Sequence, residues 1–474
     1  MEKADFGIVG MGVMGQNLAL NIADKGYSVA VYNRTDAKTV DFIKGPAKDK
    51  RIIGTYSYHS LSEMLKEPRK IMLMVKAGPA VDAVIEDFKP HLESGDILID
   101  GGNSYFKDTD RRNQALAEEG LLYLGTGVSG GEDGARLGPS MMPGGDREAW
   151  DAVKSILTAA AGKAQDGEAC VAYLGTGGAG HYVKMVHNGI EYAIMQLIAE
   201  VYDLLQRGLG LSDPALGQLF SEWNEGELSS YLIEITAEIL QKVDPDTNQP
   251  ILSVILDEAQ QKGTGKWTSQ DALELGAPTH TINAAVSSRI ISSMKAAREG
   301  ASQVLKGPVA LFKGDPQQLI DAAKEALYAG VIMAYAQGFG LMALASEEYD
   351  YQLDMRLIAK IWRAGCIIRA ELLNDIMRAY KKKADLENLL LDEDFRKVVL
   401  PRQGAMRYVI STAVHLGIPV YAISSALGYF DAFRTARLPA NLTQAQRDYF
   451  GAHTYRRVDK EGSFHTVWQA SENG

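Results

Sequence analysis

Cysteine is nearly missing from this chain. Of 474 residues only Cys170 and Cys366 carry thiols, far apart and outside any metal-ligand spacing. That excludes a disulfide framework and fits a reducing compartment. Basic excess is missing too. Lys and Arg number 49 against 60 Asp and Glu, a net charge of -11, which argues against the basic stripe that a nucleic-acid surface needs. It leaves room for an anionic small substrate held by a few local cations. No apolar run is read as reaching the roughly 18 to 20 residues of a membrane-spanning helix. The start, Met1-Glu2-Lys3-Ala4-Asp5, runs directly into a strand-like stretch and has none of the features of a signal peptide. These absences point to a soluble, cytoplasmic protein with neither nucleic acid nor membrane as partner.

What is present is ordinary globular composition: 46% hydrophobic, 23% charged and 8% aromatic, with nothing of a disordered or collagenous chain. The length exceeds one hydrophobic core and implies two or three domains. In the first third, short apolar runs at residues 6–9, 28–32, 70–75 and 96–100 read as buried parallel strands, with residues 121–124 and 169–173 as candidate continuations. Amphipathic stretches such as 16–26 and 62–66 lie between them, the alternation of a doubly wound sheet. From residue 181 to about 433 helical periodicity takes over. Ile194-Met195 recurs as Ile332-Met333, 138 positions later, and Trp223-x-x-Gly226 as Trp362-x-x-Gly365, 139 later. A duplicated helical bundle would produce this echo, and so would chance. Residues 435–474 are short, polar and without core-forming period, either disordered or laid onto something else. The fold expected is a Rossmann-type α/β domain (1–177), a large all-helical domain built as a duplicated bundle (178–434) and a C-terminal tail (435–474).

Gly10-Met11-Gly12-Val13-Met14-Gly15 follows the first strand and opens a helix. Alone the pattern is a weak signal, but in this place it is the pyrophosphate turn of a dinucleotide site. At the end of the second strand, where an NAD enzyme places a carboxylate for the ribose 2′-hydroxyl, stand Asn33, Arg34 and Thr35. An amide, a guanidinium and a hydroxyl suit a 2′-phosphate, so NADP is expected rather than NAD. Arg34 could instead stack on adenine. Asp100-Gly101-Gly102-Asn103-Ser104 and Val128-Ser129-Gly130-Gly131 end later strands at the edge where such sheets bind ligands. Each could be a turn by itself; with the first loop they outline a cleft.

The segment 181–207 reads as a long helix. Lys184, His187, Asn188, Glu191 and Tyr192 share an arc of roughly 140° on it, amid apolar neighbours. Such a stripe either faces solvent or lines a site, and its residue types suit directional hydrogen bonding. Lys184 and Glu191 stand about 10 Å apart along the axis. A desolvated lysine there could act as a neutral base and the glutamate as a protonated acid.

These motifs, with Lys184-Met185-Val186-His187-Asn188-Gly189, Glu191-Tyr192, Lys262-Gly263-Thr264-Gly265-Lys266, Arg447 and His453, closely resemble the 6-phosphogluconate dehydrogenases, the oxidative decarboxylases of the pentose phosphate pathway. The likeness runs over essentially the whole chain. It implies that Lys184 takes the substrate's C3 hydroxyl proton as hydride leaves for NADP, that the 3-keto acid loses CO2, and that Glu191 protonates the enediol to give ribulose 5-phosphate. No metal is implied. Asn103, Ser129, Gly130, Gly131, His187 and Asn188 would hold the carboxylate and hydroxyls. Tyr192, Lys262, Thr264, Arg289, Arg447 and His453 would hold the phosphate end. The resemblance gives the last two to the other subunit's site, making the enzyme a homodimer with exchanged tails. Val75, Lys76 and Ala77 would lie near the nicotinamide, although Lys76 alone reads as a surface lysine. Gly263-Thr264-Gly265-Lys266-Trp267 is rejected as a triphosphate loop because Trp267 stands where Ser or Thr should. The rivals are a shorter β-hydroxyacid dehydrogenase type, which lacks the phosphate-binding tail, and a non-catalytic NADP sensor, which has no use for Lys184 or Glu191.

Overall fold

The computed structural model describes residues 2–261, 263–308 and 311–468. The chain falls into two compact units, Met1–Ala426 and Leu427–Gly474. The first begins with alternating elements: β1 Phe6–Val9, α1 Val13–Asp24, β2 Val29–Tyr32, α2 Asp36–Lys44, β3 Ile52–Thr55, α3 Tyr58–Met64, β4 Lys70–Leu73, α4 Pro79–Phe88, β5 Ile97–Asp100, α5 Phe106–Glu118, β6 Leu122–Val128, α6 Gly131–Leu137, β7 Met141–Gly145 and α7 Arg147–Ala160. The strands form one sheet in the order β3-β2-β1-β4-β5-β6-β7. All neighbours are parallel except β6 and β7. Every residue of β1, β2 and β5 is buried, as a sheet covered by helices on both faces requires. Order reverses between β1 and β4, and a ligand crevice belongs at that switch point.

Three strand expectations change. Residues 52–55, Ile-Ile-Gly-Thr, form β3 although only two consecutive apolar residues mark them. Met141–Gly145 forms β7 despite Pro143 and two glycines, because it is the antiparallel edge strand, where proline is tolerated. Residues 169–173 do not continue the sheet: β7 occupies that edge, and only single bridges join Val171 to Met141 and Ala169 to Lys163.

Helices then follow: α8 Ala179–Leu209, α9 Asp213–Asn224, α10 Tyr231–Gln241, α11 Thr264–Glu274, α12 His280–Ser292, α13 Lys295–Val304, α14 Pro316–Glu348, α15 Met355–Ile361, α16 Leu372–Lys382, α17 Glu393–Leu416 and α18 Tyr421–Phe433. The sequence echo corresponds to a repeated element order. Ile194 and Ile332 lie on the long helices α8 and α14, while Trp223 and Trp362 close the short helices α9 and α15. An 11-residue helix follows each tryptophan. The two series meet at an antiparallel bridge between Ser230 and Ala370.

Helix α14 corrects the reading of hydrophobic runs. Its 33 residues are long and apolar enough to cross a membrane, yet 83% of its most apolar window is buried inside the protein. It is a core helix. Residues 326–345 carry no charge, but Gln337 is bonded within the fold, its Oε1 accepting the Thr281 amide (2.8 Å) and its Nε2 donating to Thr281 Oγ1 (2.8 Å).

The second unit also departs from expectation. It contains a helix, α19 Ala440–Gly451, and it is organised on a buried carboxylate. Asp448, fully buried, accepts from the Thr454 amide (3.0 Å), His465 Nδ1 (2.9 Å), the Thr466 amide (3.0 Å) and Trp468 Nε1 (2.9 Å). Burial raises its pKa, but these donors outweigh it and hold the carboxyl at about 2. A polar hub has no hydrophobic period, which is why the sequence pattern hides it.

Candidate active site

The cofactor half is built from loops at the carboxyl ends of the strands. Gly10, at φ +102°, ends β1, and a Cβ there would stand 2.4 Å from the Met74 carbonyl, so only glycine makes this turn. Gly12 caps α1 with no side-chain hydrogen bond and open space around it. The first amides of α1 are therefore presented to an approaching anion. Asn33 Oδ1 accepts the Met11 amide (3.0 Å) and its Nδ2 donates to the Thr35 carbonyl (3.1 Å), tying the glycine turn to the end of β2. Arg34 is exposed, and among the described residues no acidic side chain forms an ion pair with it. Thr35 caps α2 without using its hydroxyl for the cap. This set fits a 2′-phosphate: a free guanidinium, a free hydroxyl and no carboxylate at the end of β2.

Beyond the switch point the loops after β4 and β5 line a cleft of about 740 Å³. Met14, Val75, Lys76, Ala77 and Asn103 form its sheet side, and Thr264 of α11 stands on its wall. Buried Asp100 holds the loop carrying Asn103, accepting Ser104 Oγ (2.6 Å), the Gly102 amide (3.0 Å) and the Tyr123 hydroxyl (3.2 Å). Asp100 thus works on the loop rather than on a ligand.

Helix α8 carries the lysine and glutamate expected to act as base and acid. Its polar stripe is not solvated: Lys184 is 5% exposed, His187 0% and Tyr192 buried, while Asn188 and Glu191 are half-buried. Lys184 Nζ donates to Asn188 Oδ1 (2.7 Å) and Ser129 Oγ (3.3 Å), and lies 3.4 Å from His187 Nδ1. Asn188 Nδ2 donates to Thr264 Oγ1 (2.9 Å), which joins the helix to α11. His187 Nε2 lies 3.4 Å from Ser129 Oγ, and its Nδ1 is 3.8 Å from Glu191 Oε2. His187 therefore stands between Lys184 and Glu191, on a ring packed edge-on against Trp362 (5.4 Å).

Burial dominates the electrostatics. It pushes Lys184 below the ordinary lysine range, opposed by the charge of Glu191. It pushes His187 well down, helped by Lys184, so this imidazole is neutral. It pushes Glu191 up, opposed by Lys184 and Arg289. Each shift favours the uncharged form. Shifts in these directions are those that suit a lysine to accept a proton and a carboxyl to deliver one.

The remaining expected residues divide. Gly130, at φ +105°, packs so closely that a Cβ would stand 2.6 Å from the Gly365 carbonyl, and Gly131 begins α6 beside it. Arg289 of α12 lies flat on the Tyr192 ring, 3.4 Å from its centroid, and donates to the Gln260 carbonyl (3.1 Å). Lys262 falls outside the described residues. Arg447 and His453 belong to the second compact unit, where both are exposed. Sequence reasoning missed Tyr105 and Trp267, which also line the cleft. Trp267 could have been found, since it follows Thr264 by one helical turn and shares its face. Trp362 was noticed only as part of an echo.

A dinucleotide fold with a buried lysine and histidine and a half-buried glutamate on the helix that follows it is the arrangement of a nicotinamide-dependent dehydrogenase. Residues 5–175 match the NAD binding domain of 6-phosphogluconate dehydrogenase, and residues 180–468 match the 6-phosphogluconate dehydrogenase C-terminal domain. The chain is 57% identical to the NADP(+)-dependent, decarboxylating 6-phosphogluconate dehydrogenase of Bacillus subtilis, covering 99% of this chain and all of that one. It is 55% identical to the decarboxylating 6-phosphogluconate dehydrogenase of Escherichia coli K12, with the same coverage. The solved Plasmodium falciparum 6-phosphogluconate dehydrogenase, described in apo, NADP+ and 6-phosphogluconate forms, superposes with a TM-score of 0.95 at 45% identity, over 98% of this chain and 100% of that one. The chain belongs to the 6-phosphogluconate dehydrogenase family.

Proposed function

We propose that this chain oxidatively decarboxylates 6-phospho-D-gluconate to D-ribulose 5-phosphate and CO2, reducing NADP to NADPH. The carrying observation is the buried Lys184, whose Nζ lies 2.7 Å from Asn188 Oδ1 and 3.3 Å from Ser129 Oγ, with neutral His187 separating it from Glu191. NADP, when bound, supplies the hydride acceptor. Gly10, Met11, Gly12, Val13, Met14 and Gly15 would hold its pyrophosphate, Asn33, Arg34 and Thr35 its 2′-phosphate, and Val75, Lys76, Ala77 and Asn103 its nicotinamide end.

Lys184, whose charged form burial disfavours, takes the proton of the C3 hydroxyl as the C3 hydride departs, and the C3–O bond becomes a carbonyl. Ser129, Gly130, Gly131, His187 and Asn188 orient the carboxylate and hydroxyls so that the C1–C2 bond aligns with that carbonyl. Its electron pair passes into the C2–C3 bond as CO2 leaves, and the C3 oxygen takes its proton back from Lys184 to give the enediol. Glu191 then delivers its proton to the carbon that lost the carboxylate while Lys184 again takes the C3 hydroxyl proton, giving the ketose. Thr264, Tyr192, Arg289 and Lys262 hold the phosphate end, with Arg447 and His453 reaching the site of a second copy in a homodimer. The division of labour is cofactor binding in 1–177, substrate and dimer contacts in 178–434, and the crossing tail in 435–474. We place the enzyme in the cytoplasm, where its two buried free thiols stay reduced.

The test follows the reduced-nicotinamide absorbance with 6-phosphogluconate, offering NADP and NAD in separate cuvettes. Reduction with NADP, matched by CO2 and lost in Lys184→Ala, supports the reading. Activity confined to unphosphorylated hydroxyacids would move the chain to the shorter β-hydroxyacid type and leave Arg289 and the tail without a role.

A further inference from the structure

The cleft that the cofactor loops open is not walled by those loops alone. Tyr105, just before α5, and Trp267, in the first turn of α11, meet across it with ring centroids 5.1 Å apart at 41°. One ring belongs to the dinucleotide-binding part and the other to the helical part. The loops after β4 and β5 lie on the far side of the switch point from Asn33 and Arg34. In a sheet of this order the two halves of a dinucleotide bind on opposite sides of that point, so the half remote from the 2′-phosphate belongs beside Tyr105 and Trp267. Trp267 is only half buried and lines the cleft. It shares a helical face with Thr264, whose hydroxyl receives Asn188, which in turn receives Lys184.

From this geometry we infer that Trp267, braced by Tyr105, is a positioning residue for the nicotinamide end of the cofactor, setting its depth against the helix that carries Lys184. The inference rests on the proposed NADP-dependent reading. An indole offers a broad flat surface, aromatic pairs prefer tilted or offset contacts at this separation, and the Tyr105 ring keeps the indole from swinging into the cleft. The neighbouring ion pair between Lys107 and Glu274 (3.0 Å) spans the same two helices but is exposed, so it adds little.

The experiment uses the full-length protein and NADP without substrate, so that binding is read apart from turnover. Trp267→Leu should raise the NADP Kd about tenfold, equivalent to about 1.4 kcal/mol, while the 6-phosphogluconate KM stays within about twofold. Trp267→Phe, which keeps a ring, should restore most of the affinity. Tryptophan emission supplies a second reading. Of five tryptophans, Trp150, Trp223 and Trp362 are buried and Trp468 lies in the second unit. NADP-induced quenching should therefore be present in the wild type and largely lost in Trp267→Phe. Unchanged NADP affinity in Trp267→Leu, or undiminished quenching in Trp267→Phe, overturns the inference. A chain that turns over 6-phosphogluconate with NADP while showing either result keeps the proposed function and loses only this role.

Discussion

Glu200 makes stability depend on pH in an unusual direction. It lies on α8, the helix of Lys184 and Glu191, and is 3% exposed. Its carboxylate accepts the Ala422 amide (2.8 Å), the Ile423 amide (3.0 Å) and Gln196 Nε2 (3.0 Å). It therefore caps α18, the helix from which the chain continues toward the tail. Burial pushes its pKa up, and the donors pull back only part of the way, leaving it at about 7 against an ordinary 4.5. The folded state holds this proton more tightly than the unfolded one. Stability from Glu200 is fully present below about pH 4.5, falls as pH rises, and levels off above about pH 7. At about 1.4 kcal/mol per unit the loss amounts to about 3 kcal/mol. Glu200→Gln keeps one acceptor oxygen for the α18 amides and cannot ionise. Its stability relative to wild type should climb by about 3 kcal/mol between about pH 4.5 and pH 8. Urea unfolding at a series of pH values and one fixed protein concentration measures that difference, and other titrating groups cancel in it. A pH-independent difference, or one that falls with rising pH, would refute the reasoning.

Arg34→Ala should weaken NADP binding about 10- to 100-fold while changing NAD binding little, because it removes a charge-assisted contact of about 1.5–3 kcal/mol; calorimetry with both nucleotides checks this. Gly130→Ala sets a Cβ against the Gly365 carbonyl at a positive φ, so kcat/KM for 6-phosphogluconate should drop at least about tenfold at unchanged NADP affinity, a split that steady-state kinetics with direct binding reads. Asp448→Asn removes the charge shared by His465, Trp468 and two amides. Limited proteolysis should then cut the second unit faster while NADP still binds.

The α/β alternation, the glycine turn and the long helix α8 were legible because each rests on local chemistry: buried strands are apolar on both faces, and the turn after β1 needs glycine. Strands β3 and β7 were not, since Ile52-Ile53 is too short a run and Pro143 reads as a breaker until its edge position is known. Whether the polar stripe of α8 faced water or a site could not be settled by periodicity. Burial of Lys184 and His187 depends on Ser129, Thr264 and Trp362, which approach from distant parts of the chain. The tail hub escaped notice for the same reason: Asp448 gathers donors 6 to 20 residues away, and polar contacts have no period.

The division of work between Lys184 and Glu191 is tested most directly by single-turnover reduction of NADP with saturating 6-phosphogluconate. On the proposed mechanism Lys184 acts as hydride leaves and Glu191 after CO2 has gone. Lys184→Met should therefore bind both ligands and form no NADPH, whereas Glu191→Gln should form one equivalent per site in a burst and then stall. A burst in Lys184→Met, or its absence in a Glu191→Gln variant that still binds both ligands, would contradict that assignment.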